Sequence, residues 1–270
     1  MKRVLMIAMG RSGSTVTMKY IKQLLGQNDR GLELLNYNSG EEHFGLDQHG
    51  NEKIGKYDAM RGAGIINKES IKFGRLLRHT ADYRYELQRR FENLKAFGWP
   101  STKVLSEDWR LLPPSQREEM NNSYDIVLTM DRRDFTEGAV STFYAIYQNK
   151  WHRDHGQDAF DVSTRIRLHP KAIKRYIDEY NEYCTLVSQL TIHTAHLEYE
   201  ILFDVKEFQR ILSTFCRLPF NKDPKLPLLK GQSYFDRRNS IMNYDHLKII
   251  EKQYMGEKNV TYIPRTGIDN

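Results

Sequence analysis

The chain is poor in the features that build several whole classes of protein. Only two cysteines, Cys184 and Cys216, occur in its 270 residues; they cannot make a disulfide framework and have no CxxC spacing, which argues against thiolate-metal and redox chemistry. Both read as small buried apolar residues. Long hydrophobic runs are missing too. The apolar run at residues 4–9 is far too short for a signal-peptide core, and nothing later approaches the roughly 18–20 apolar residues of a membrane span. The expected compartment is therefore the cytoplasm. Internal repeats and low-complexity tracts are absent, and the basic residues are scattered rather than interleaved with stacking aromatics, so no nucleic-acid partner is expected. His43, His49, His152, His155 and His169 share no metal-site spacing, and no metal is expected either.

What remains is an ordinary water-soluble composition, 39% hydrophobic and 28% charged, in a length that suits one α/β domain over residues 1–270. Forty-one Lys and Arg against 35 Asp and Glu give a formal net charge of +6. That balance favours an anionic ligand without naming it.

Residues 2–9 read as a buried strand, 10–13 as a glycine turn, and the next stretch as a helix with Val16, Tyr20, Ile21, Leu24 and Leu25 on its apolar face, ended by Gly26. Residues 32–64 are Gly-, Asn- and His-rich and read as long loops that form part of an acceptor site. Helical spacing returns over 68–97 and is closed by Gly98 and Pro100. A short strand at 103–106, a turn at Pro113-Pro114 and an apolar strand at 124–130 follow. Asp134 and Glu137 have the spacing of a capping box, ahead of a helix carrying Ala139, Val140, Phe143, Tyr144 and Tyr147. Helices at 171–190, 205–215 and 244–254 and a strand at 191–199 complete the pattern. Such alternation implies an α/β fold: a mostly parallel central sheet flanked by helices, opened at the N-terminus by a P-loop-like strand-loop-helix.

Two constellations carry the chemistry. In Gly10-Arg11-Ser12-Gly13-Ser14-Thr15 the glycines let the backbone turn tightly, so that N–H groups and a helix N-terminus face one spot. Arg11 adds a fixed cation there, and Ser12, Ser14 and Thr15 add hydroxyls. A nucleoside-triphosphate loop needs four residues between its glycines and then Lys before Ser or Thr; here two residues intervene and no such Lys follows. The second constellation is Arg133 with Ser141, eight residues on and two turns into the next helix. An arginine fork and a hydroxyl so spaced can hold a second phosphate.

Together these segments resemble the sulfotransferases that use 3′-phosphoadenosine 5′-phosphosulfate (PAPS). Residues 4–16 resemble that family's 5′-phosphosulfate-binding strand-loop-helix, with its signature of Arg or Lys, Ser, Gly, Thr or Ser, Thr. Residues 124–144 resemble its 3′-phosphate segment, a hydrophobic strand ending in Arg with Ser eight residues later. Residues 197–204, with Phe208, Ile211, Leu212 and Phe215, look like its late strand and helix, and 103–114 like the segment bearing its catalytic base.

The resemblance implies that the Arg11 to Thr15 loop holds the 5′-phosphosulfate, that Arg133 and Ser141 hold the 3′-phosphate, and that Tyr199 lies against the adenine. It implies that Arg237 and Arg238, with Ser240, close over the 3′-phosphate, and that Arg11 stabilises the departing phosphate. Cytosolic members use the His of a Lys-Thr-His motif as base. This chain departs from them with Ser106-Glu107-Asp108, so Glu107, with Asp108 close behind, takes that place. The function implied is transfer of a sulfuryl group from PAPS to a hydroxyl or amine, on a small-molecule, sugar, lipid or peptide acceptor that the sequence leaves open. Two alternatives stay in view. One is an ATP-dependent small-molecule or nucleotide kinase; the other is a nucleotide-binding protein of this fold without catalytic activity, raised by the missing His.

Overall fold

Four short apolar runs build the sheet. In the computed structural model, which describes residues 2–27, 81–147, 165–219 and 238–264, β1 (Val4–Ala8), β2 (Thr102–Leu105), β3 (Ile126–Asp131) and β4 (Ala195–Glu198) lie in the order β2-β1-β3-β4. Every pairing is parallel. A parallel sheet is covered on both faces, so its strands are apolar along their length rather than alternating. Accordingly every residue of β1 and of β3 is buried.

The covering elements are α1 (Ser14–Leu24), α2 (Ala81–Ala96), α3 (Ser106–Leu111), α4 (Pro114–Asn122), α5 (Phe135–Tyr147), α6 (Lys171–Ser188), α7 (Val205–Thr214) and α8 (Tyr244–Glu257), with a 3₁₀-helix at Tyr199–Phe203. On one face Val4, Met6 and Ala8 of β1 and Leu128 and Met130 of β3 meet Met18 and Ile21 of α1 and Phe208 and Leu212 of α7. On the other, Leu5 and Ile7 of β1 and Val127 of β3 meet Val140 and Tyr144 of α5, Tyr180 and Tyr183 of α6 and Leu247 of α8. The helix that follows β1 therefore covers one face, and the helix that follows the adjacent β3 covers the opposite one. Neighbouring strands whose connections part in this way open a crevice at their carboxyl ends, where open α/β sheets bind ligands.

Three elements differ from the sequence expectation. The strand expected over 191–199 begins only at Ala195, because the backbone N–H groups of Thr191 and Ile192 donate to the Asn121 side chain, at 3.0 and 2.9 Å, before the chain joins β3. Ser106 opens α3 instead of ending a strand. The Pro-Pro pair is a helix start, with Pro114 in the first turn of α4, where a missing N–H costs nothing. The loops expected over 32–64 and the first part of the helix expected over 68–97 fall outside the described residues. Among the described residues no helix is long and apolar enough to cross a membrane.

Candidate functional site

The crevice is floored by the loop that leaves β1. Met9 still donates to the carbonyl of Met130, at 2.9 Å, so the chain turns away only at the tip of the sheet. The Ser12 hydroxyl then donates back to the Met9 carbonyl at 2.7 Å and closes the turn. Arg11 and Gly13 both adopt left-handed backbone, with φ of 63° and 77°. Gly13 is required twice over, since a Cβ there would also lie 2.7 Å from Leu202 Cδ1 and 2.8 Å from Tyr199 Cδ2. It is the N-cap of α1, and the N–H and hydroxyl of Thr17 both donate to its carbonyl at 3.1 Å. The first turn of α1, at Ser14 and Thr15, consequently brings N–H groups that lack intrahelical acceptors, and the positive end of the helix dipole, to the mouth of the crevice.

Cations enter this turn from two directions. Arg11 Nε donates to Ser141 Oγ on α5 at 3.1 Å, a bond from the loop after β1 to the helix after β3. Lys103 comes from β2, in register with Met6 and on the α1 side of the sheet. Its Nζ donates to Thr15 Oγ1 at 2.7 Å. Lys103 is buried, and burial first, then the charge of Arg11, lowers its ammonium to about 7; Lys19 adds to the effect, while Asp108 opposes it. By sequence Lys103 reads only as part of a strand. The available signal was a lone charge at an inward position of the run TKVL, on a strand beside the glycine loop.

Glu107 and Asp108 both stand on α3 but in different surroundings. Asp108 is sealed from solvent and acts on Lys103. Glu107 is half-buried and lines a cleft of about 280 Å³ between α3 and α6, together with Arg110, Asp178, Glu179 and Glu182.

The two arginines after β3 part company. Arg133 forms an ion pair with Glu198, donates from Nη2 to the Ile263 carbonyl at 2.7 Å, and lies over the Tyr262 ring at 4.8 Å. Arg132 is buried, lies over the Tyr199 ring at 4.2 Å, and has its Nη2 3.4 Å from Glu137 Oε2. Because Tyr199 packs on Gly13, Arg132 is tied to the loop through that ring. Ser141, expected to work with Arg133, is bonded to Arg11. Asp134 caps α5 by accepting from the Glu137 N–H at 2.9 Å. The reciprocal position is taken by Glu200, which accepts from the Asp134 N–H at 3.3 Å.

α6 fixes the loop from behind. Tyr176 crosses Gly138 of α5, where a Cβ would lie 2.3 Å from its Cζ, and donates to the Gly10 carbonyl at 3.2 Å. Deeper along the same face, Thr129 Oγ1 lies 2.7 Å from His193 Nε2 and 2.9 Å from His196 Nδ1, and His196 Nε2 lies 3.2 Å from Asp131 Oδ2. Arg238 is exposed and paired with Asp245 at 3.0 Å, and Ser240 shares a hydrogen bond with the Tyr144 hydroxyl. Arg237 lies outside the described residues, as do His43, His49, His152 and His155. The His169 ring accepts from the Lys171 N–H at 3.1 Å. No group of three His, Cys, Asp or Glu side chains that could hold a metal ion occurs among the described residues.

No family model matches the chain, and a search of curated proteins found no match. Among solved structures the chain is similar to retinol dehydratase in complex with retinol and PAP, at 15% identity over 97% of this chain and 83% of that one, with a TM-score of 0.47. It is similar to the sulfotransferase domain from the curacin biosynthetic pathway at 15% identity, over 99% and 94%, with a TM-score of 0.36. The sulfotransferase domain from the Synechococcus PCC 7002 olefin synthase is 13% identical over 97% and 95%, with a TM-score of 0.35.

Proposed function

We propose that the chain is a sulfotransferase that moves a sulfuryl group from PAPS to a hydroxyl or amine acceptor. The observation that carries this reading is the 3.1 Å hydrogen bond between Arg11 and Ser141, a cation from the first strand's loop meeting a hydroxyl from the third strand's helix across the crevice. Donors on both elements suit a ligand with anionic groups at two places along its length, as PAPS has. A loop with two residues between its glycines supports a triphosphate poorly. The fit is supported further by Gly13, whose bare Cα leaves no side chain between Tyr199 and the loop.

In this reading the Arg11 to Thr15 loop takes the 5′-phosphosulfate, and Ser141 and Arg133 take the 3′-phosphate, with Tyr199 at the adenine and Arg237 and Arg238 closing over the end. PAPS supplies the sulfuryl group and a phosphate leaving group. Glu107 accepts the acceptor's proton while the acceptor atom bonds to sulfur and the bond from sulfur to the phosphate oxygen breaks; Arg11 balances the charge that grows on that phosphate. Glu107 is favoured over Asp108 because it opens onto the cleft between α3 and α6, whereas Asp108 is buried and acts on Lys103.

The test is a melting-point series with PAPS, its desulfated product PAP, and ATP with magnesium, since a ligand that binds the folded state raises the melting temperature. PAPS and PAP are expected to raise it and ATP-magnesium is not. Arg11→Ala should weaken PAP binding by about tenfold or more, whereas Glu107→Gln should leave it within about twofold and cut turnover by about a hundredfold. A response to ATP-magnesium alone would point to a kinase. PAP binding without transfer to any of a broad acceptor panel would point to a binding protein.

A further inference from the structure

We infer that Lys103 is an anion-binding residue of the loop after β1 and that it takes up a proton when a phosphate group binds there; this rests on that loop being the phosphate end of the site proposed above. Lys103 belongs to no loop pattern, because it reaches the site from a neighbouring strand 88 residues away along the chain. Its Nζ is 2.7 Å from Thr15 Oγ1, in the helix turn whose N–H groups face the crevice. The charged groups that act on it come from each element packed around it: Arg11 from the loop, Lys19 from α1, and Asp108 from α3. Arg11 and Lys19 bring positive charge to Lys103 and Asp108 brings negative charge, and Lys103 itself is buried. A dianion in the loop would lie beside Arg11 and within reach of the Lys103 ammonium through Thr15.

With no anion present, burial and the neighbouring cations hold the ammonium down to about 7, so that at pH 8 most molecules carry a neutral amine. A dianion in the loop reverses the sign of the local field and brings the proton back. A lysine that merely tied β2 to α1 would keep one protonation state with and without ligand.

The experiment is titration calorimetry of PAP at pH 8 in buffers of different ionisation enthalpy, a pH at which phosphate monoesters are already dianionic because their second pKa is about 6. Expected are net proton uptake as PAP binds, up to about one per PAP, and a Kd that rises by up to about tenfold between pH 8 and pH 9. Lys103→Arg, charged throughout, should bind PAP without the uptake, and Lys103→Met should bind at least tenfold more weakly, also without it. Inorganic sulfate, whose charge is constant in this range, is the parallel probe, followed by melting temperature. If sulfate stabilises the protein more at pH 8 than at pH 9, and Lys103→Met abolishes that difference while PAP fails to bind, the inference stands and the nucleotide reading falls. PAP bound with no proton uptake, or with uptake that survives in Lys103→Met, overturns the inference. Neither ligand acting on the folded protein overturns both.

Discussion

Lys103 is the one charged residue of β2 and its ammonium is buried, a position that costs stability whenever the group is charged. Its folded-state pKa of about 7 lies below the ordinary 10.5. Between those two values the unfolded chain therefore binds more protons than the folded one, so this residue's contribution to stability rises with pH across the window and is at its least favourable below it. Lys103→Met should accordingly melt several degrees above the parent protein at pH 7, given that ~1 kcal/mol moves the melting point of a chain this size by about 2–4 °C. The gain should shrink by pH 9.5. Scanning calorimetry of both proteins at the two pH values decides it, and equal melting points at pH 7 would remove the buried charge from the account. At this scale the sequence was legible only where neighbours along the chain do the work. Gly13 and Ser12 could be read from the turn they make, whereas Lys103 acquires its surroundings from Thr15, Arg11 and Asp108 only after the sheet has formed.

Between elements, α5 and α6 meet closely at Gly138. Gly138 has no Cβ because the Tyr176 ring occupies that space, and the same tyrosine hydroxyl holds the Gly10 carbonyl. Gly138→Ala should force the two helices apart and destabilise the protein by roughly 1–3 kcal/mol, the usual scale of overpacking. It should also weaken PAP binding, because the loop loses its rear support. Urea unfolding measures the first effect, and an unchanged midpoint would mean that the helices can accommodate the methyl group. The elements themselves were largely legible: β1 and β3 are unbroken apolar runs, and Asp134 and Asp204 accept from the N–H three residues on, as helix caps do. What was not legible depended on distant partners. The start of β4 is delayed by Asn121, some 70 residues away in sequence, and a Pro-Pro pair reads as a turn although Pro114 is equally at home in a helix's first turn.

Across the whole molecule, the decisive property is that α1 and α5 leave adjacent strands toward opposite faces of the sheet. Both strand-turn-helix units could be read from the sequence, but not the side on which each helix would pack, since an apolar helix face fits either side of a sheet. If one nucleotide spans the crevice, PAP should slow hydrogen exchange together at residues 10–16 and 132–142, which are remote in sequence, while the far ends of the strands stay as they were. Protection confined to the first segment would reduce the site to a simple anion loop. Arg133 adds a last consequence. It already holds Glu198, the Ile263 carbonyl and the face of Tyr262, so an incoming phosphate that claims this guanidinium displaces a tenant rather than filling a vacancy. Occupancy at one end of the crevice and the grip on the stretch after α8 are then settled by the same competition.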